Sequence, residues 1–131
     1  MDDHPNDEAG RLVRAALNKA LNWIYHWGDP LIPFLMTLDR EGRMRVTSFL
    51  ADEPEIGIRR ARRAAERRAP QARAWAVVFA SRLGPGEAVV ADVGVRGWNR
   101  THRWIQRFQR PDREAGIRLV GEVVYAGIAE A

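Results

Sequence analysis

The sequence predicts an α+β domain: a single antiparallel β-sheet of five to six strands with two helices on one face, in the order α-β-β-α-β-β-β-β. Three observations carry this expectation. Two segments repeat their apolar residues with a helical period, and several short runs rich in β-branched and aromatic residues alternate with a period of two. The connections after residue 70 are too short to hold crossover helices, so the strands they join must pair antiparallel.

The first helix is expected from Asp7 to Trp27. Val13, Ala16, Leu17, Ala20, Leu21, Ile24 and Trp27 recur at steps of three and four and form one apolar stripe, leaving Asn18, Lys19, Asn22 and His26 on the wet side. Asn6 or Asp7 is suited to cap it, Gly28 to end it in a left-handed turn, and Pro30 to prevent its continuation. A hairpin follows: LIPFLMTL, the turn DREG with Asp39 and Gly42 in turn positions, then RMRVTSFL. The second helix is expected from Asp52 to Ala69. Asp52 and Glu55 form a capping pair, Pro54 fits the first turn, and Pro70 marks the end. Strands are then expected at residues 73 to 82, 87 to 96, 101 to 110 and 117 to 125, parted by LGPGE, RGWNR and PDREAG. This element order resembles the roadblock and profilin-like folds, in which a central antiparallel sheet carries flanking helices. The resemblance is one of topology without a motif, and the chain lacks the C-terminal helix of the roadblock pattern.

Composition bounds the function. The 131 residues suit one domain, 1–131, with a short acidic tip at 1–6. Cysteine is absent, which removes thiol nucleophiles and thiolate metal sites and fits a cytoplasmic location. The N-terminus MDDHPNDEAG lacks the charged-then-apolar pattern of a signal peptide. The longest apolar run, AWAVVFA, is far short of the roughly 20 residues that cross a bilayer, so no membrane role is expected. The net charge of +4 is uneven: outside Asp2, Asp3, Asp7 and Glu8 the chain carries 21 basic and 13 acidic residues. All the basic residues except Lys19 are arginine, a usage that either codon bias in a GC-rich genome or an acidic partner explains.

No catalytic or metal motif emerges. His4, His26 and His102 fall in three separate elements without ligand spacing, so neither a metal nor a cofactor is expected. Ser48 and Ser81 lie in or beside strands without a nucleophile elbow, and GPGE joins two strands rather than opening a helix as a phosphate loop does. Two carboxylates have a possible chemical use. Asp92 shares a strand face with Ala88 and Val90, and Glu122 shares one with Arg118, Val120 and Val124; together they could serve as general acid and base. The competing reading pairs them with arginines on the same outer face.

Two basic features remain. In IGIRRARRAAERRA, Ile58, Ala61, Ala65 and Ala69 make a narrow apolar stripe, while Arg59, Arg60, Arg62, Arg63 and Arg67 spread over the opposite half. Glu55 is spaced to pair with Arg59, and Glu66 with Arg62 or Arg63. The stretch WNRTHRWIQRFQRP mixes rings and cations as single-strand nucleic-acid sites do. Period-two geometry divides it: Trp104 and Phe108 turn towards the core with His102 and Gln106, whereas Arg103 and Arg107 join Asp92, Arg118 and Glu122 on an open sheet face. Trp98 is left in the turn beside Arg100, either folded back over the sheet edge or offered to a partner. The expected function is therefore a small non-enzymatic protein-interaction domain, self-associating or bound to another protein, with Arg59, Arg60, Arg63, Arg67, Trp98 and Arg100 as contact residues. The alternatives are nucleic-acid binding through the second helix and an enzyme built on the sheet-face carboxylates.

Overall fold

The structure, a computed structural model, describes residues 7–28, 30–110 and 116–129. The acidic tip with His4 and Asn6, and most of the PDREAG turn, lie outside the described residues. Two helices and six strands follow the expected order: α1 (Asp7–Trp27), β1 (Phe34–Asp39), β2 (Met44–Ser48), α2 (Pro54–Arg68), β3 (Ala72–Leu83), β4 (Gly86–Val95), β5 (His102–Gln109) and β6 (Arg118–Ile128), with a 3₁₀ turn at Ala69–Gln71. The strands form one fully antiparallel sheet in the order β2-β1-β3-β4-β5-β6. No described helix is long and apolar enough to cross a membrane.

The helices do not share a face. Leu12, Ala16, Leu17, Ala20 and Ile24 of α1 pack on Phe34, Met36, Ala76, Val78, Val89, Ala91 and Val93. Ala61, Ala64 and Ala65 of α2 pack on Leu35, Val77, Phe79 and Val90, the intervening residues of the same strands. The sheet is thus sandwiched, and the expectation of two helices on one face is corrected. The reason lies in the central strands: both rows of β1, β3 and β4 are apolar, and a strand that is apolar on both rows needs cover on both sides.

Most local signals act as expected. The buried stripe of α1 runs from Ala9 to Ile24, and Gly28 ends the helix at φ +77 while donating its N–H to Ile24 O at 2.9 Å. Trp27 departs from the stripe: it is 74 % exposed and its ring tilts against Trp23, 6.1 Å away. Helical period sets a residue's direction but not whether a layer lies beneath it. The start of α2 differs too. The cap residue is Glu53, extended and without a side-chain cap hydrogen bond, so Asp52 and Glu55 do not form the expected pair. The buried residues of α2 are Gly57, Ala61, Ala64 and Ala65, a row of small side chains that lets the helix lie close to the sheet. A Cβ on Gly57 would stand 2.5 Å from the Phe49 carbonyl oxygen.

Candidate interaction surface

Asp92 sits on the α2 side of β4, directly across from Arg103 of β5, and is only 5 % exposed. Arg103 grips it with Nε–H to Oδ1 at 2.7 Å and Nη2–H to Oδ2 at 2.9 Å, and Arg62 of α2 donates to Oδ2 at 3.5 Å. Both guanidinium groups lie over the Phe79 ring, 5.8 and 5.7 Å from its centroid. The alternation of β4 and β5 thus predicts the Asp92–Arg103 pair, but the place is a junction partly covered by α2 rather than an open sheet face. Arg62, expected among the outward arginines, is the residue that covers it.

Arg107 and Arg118 do lie on this side of the sheet: Arg107 is level with Val120, and Arg118 is level with Gln109, to which it donates a hydrogen bond at 3.0 Å. Glu122 does not join them. Ile105 pairs with Val124 and Arg107 with Val120, so three β6 residues stand opposite Gln106 alone. Glu122 lies in this bulge, exposed, beside Gly121 at φ +71. One strand and about three residue steps part it from Asp92, roughly 14 Å by strand spacings. The two carboxylates are not brought together, and Asp92 is already held by two arginines. Among the described residues, no group of three or more acidic or histidine side chains is placed to hold a metal ion.

The aromatic stretch divides as its alternation implies. Phe108 is buried and Trp104 half-buried on the α1 side, while Arg103 and Ile105 face α2. Trp98 turns back over the same α1-side surface. Its backbone N–H donates to Val95 O at 2.8 Å across a turn made by Arg96 and Gly97, and its ring stacks on Trp104 at 6.5 Å and meets His102 edge-on at 5.0 Å. His102 Nδ1 lies 2.6 Å from the Tyr125 hydroxyl, and Tyr125 packs edge-on against Trp104. Trp98 is therefore half-buried in an aromatic cluster, with Arg100 exposed beside it. The cluster and the arginine face of α2 lie on opposite sides of the sheet and share no surface.

On α2, Arg59, Arg60, Arg63 and Arg67 are exposed and form no ion pair with another described residue. The helical pairs expected from Glu55 and Glu66 do not form. At the end of the helix Arg68 donates to Thr47 at 3.0 Å and lines a cleft with Arg43 and Arg45 of the β1–β2 hairpin, where Asp39 and Glu41 pair with Arg43.

The largest exposed apolar feature is one the sequence reading did not single out. Every residue of β6 except Gly127 is exposed, including Leu119, Val120, Val123, Val124, Tyr125 and Ile128. Among the described residues β6 pairs with β5 alone and forms the edge of the sheet. The other sheet edge, β2, has five residues and carries Arg45, the usual protection of short length and charge. The signal was legible in RLVGEVVYAGI, which places apolar residues in both rows with only two charges. No family model, no curated protein and no solved structure matches the chain, so the likeness to roadblock and profilin-like folds rests on element order alone.

Proposed function

We propose that this chain is a non-enzymatic protein-interaction domain that self-associates through β6. The supporting observation is the edge itself: eleven residues, about 36 Å of strand, with an outer backbone that pairs with no described strand and six exposed large apolar side chains. Such an edge is a template for another strand, and a second copy offers the same surface about a two-fold axis. Antiparallel β6–β6 pairing joins two six-stranded sheets into one and brings the apolar rows of the two copies side by side on both faces. The bulge at Gly121 bends the edge and restricts which register closes.

Sedimentation equilibrium tests this. Wild-type protein is expected at twice the chain mass, and V120K/V124K at the chain mass with an unchanged melting temperature. The two valines share one sheet face, so four lysines meet across the pairing. A wild type that stays monomeric at its highest soluble concentration, or a dimer indifferent to the lysines, overturns the reading.

A second reading is nucleic-acid binding through α2, favoured by the four exposed arginines and by Arg45 and Arg68 in the cleft at the end of the helix. Four phosphate contacts imply a log K against log salt slope of about −3 on a single strand. R59E/R63E/R67E is expected to abolish that binding; oligonucleotide affinity unaffected by the reversal refutes this reading.

A further inference from the structure

A helix about 10 Å across covers roughly two strands of a sheet whose strands lie about 4.8 Å apart. α1 lies chiefly over β3 and β4 and reaches β1 at Phe34 and Met36, so on its own sheet face it leaves the outermost strands uncovered on either side. On the β5–β6 flank, Trp98, Trp104 and Tyr125 fill the space. On the β1–β2 flank there is instead an open groove of about 810 Å³. Its floor is the exposed Val46, backed by the buried Phe34 and Met36.

The wall is a second stripe on α1, beside the buried one. Asn18, Lys19, Asn22, Trp23, His26 and Trp27 recur at helical spacing and all line the groove. This stripe runs for about three turns, close to 14 Å. A helix flank that is merely solvated carries acids and bases together, whereas this one interleaves two indoles with two amides, one ammonium and one imidazole. Trp27 spends a large apolar surface on solvent at 74 % exposure. Trp23 is fixed beside it, its indole N–H donating to Pro30 O at 3.4 Å. No described carboxylate lines the groove, and Lys19, the only lysine of the chain, is its one fully charged side chain.

We propose that this groove binds a small amphiphilic anion: an apolar body lying on Trp27, Trp23 and Val46, with a carboxylate, sulfonate or phosphate head held by Lys19 and the Asn18 and Asn22 amides. The volume falls within the range of small-molecule pockets, and the mixture of an apolar floor with a few convergent donors is how such pockets orient a ligand. Charge complementarity selects an anion over a cation, because among the described residues the groove is lined by one ammonium and no carboxylate. The assignment is independent of the β6 edge, which lies at the far side of the sheet.

The probes are 8-anilinonaphthalene-1-sulfonate and its uncharged relative N-phenyl-1-naphthylamine, titrated into the intact chain and followed by fluorescence and calorimetry. One saturable site is expected. K19Q weakens the sulfonate about tenfold, the loss of one charge-assisted contact, and leaves the uncharged probe within twofold. W27A weakens both by about tenfold, while V120K/V124K changes neither. Each variant is checked for a wild-type melting curve, since both substituted α1 side chains are exposed and neither belongs to the core. Displacement of the sulfonate by dodecanoate identifies an aliphatic ligand, and displacement by 2-naphthoate an aromatic one; displacement by neither overturns the proposal. So do multiple weak sites, K19Q acting equally on both probes, or probe binding lost in V120K/V124K.

Discussion

Removing the Asp92 carboxylate is the perturbation whose cost the structure defines best. Asp92 is 5 % exposed and holds two short hydrogen bonds from Arg103, at 2.7 and 2.9 Å, and a long one from Arg62 at 3.5 Å. Asp92→Ala removes the carboxylate that both guanidinium groups share above the Phe79 ring. Breaking a fully buried pair costs about 3–5 kcal/mol. Here the arginine side chains are 30 % and 33 % exposed, so water recovers part of that loss and the expected cost is about 2–3 kcal/mol. For a domain of this size that lowers the melting temperature by about 10 °C. Urea denaturation of wild type, D92A, R103A and D92A/R103A gives the coupling energy directly, expected at about 1.5–2.5 kcal/mol. Asp92→Asn, which keeps the shape and one acceptor, is expected to lose less. A D92A stability within about 0.5 kcal/mol of wild type, or a coupling near zero, refutes the view that this junction ties α2 to the sheet.

Three further outcomes follow from the same geometry. Gly94 lies directly across from Trp75, whose indole occupies the space a Cβ would need, so Gly94→Ala is expected to cost about 1–3 kcal/mol. Adding Trp75→Ala should remove the clash, and a double variant no better than the sum of its parts contradicts this. Trp98→Ala is expected to lower stability by about 1–2 kcal/mol through lost contact with Trp104 and the core beneath it; a melting curve unchanged by the substitution places the ring outside the cluster. Asp39 accepts the backbone N–H groups of Arg43 and Glu41 through Oδ1, and the bond from Arg43 does most to hold its carboxyl below the ordinary aspartate value of 3.8. A depressed carboxyl stabilises the fold above its unfolded-state pKa and loses that contribution as pH falls through the folded-state value. Asp39→Asn should therefore lower stability at neutral pH and close the gap to wild type in strong acid. A gap that is constant with pH, or an Asp39 carboxyl titrating at 3.8 by NMR, excludes this role.

Local signals in the chain carried far. The stripe of α1, the Gly28 stop, the Asp39–Gly42 turn and the alternation of β3, β4 and β5 are consequences of short-range geometry, and each could be read from spacing. The same alternation predicted that Asp92 would meet an arginine and that Trp104 and Phe108 would part from Arg103 and Arg107. The errors arose where a neighbour from elsewhere in the chain decides. Arg62 looks like any other outward arginine in RRARRAAERR until the sheet beneath supplies Asp92. Glu122 shares a row with Arg118 only in an unbroken strand, and the bulge at Gly121 breaks it.

The amino-acid order by itself determined the sequence of elements and their antiparallel pairing, with five to six strands, because turn lengths and periods act within a few residues. Tertiary structure alone decided that α1 and α2 cover opposite faces, that Trp98 folds inward, and that the apolar β6 stands at the edge of the sheet. Those outcomes depend on which surfaces remain after every other element has taken its place. No local period encodes what is left over.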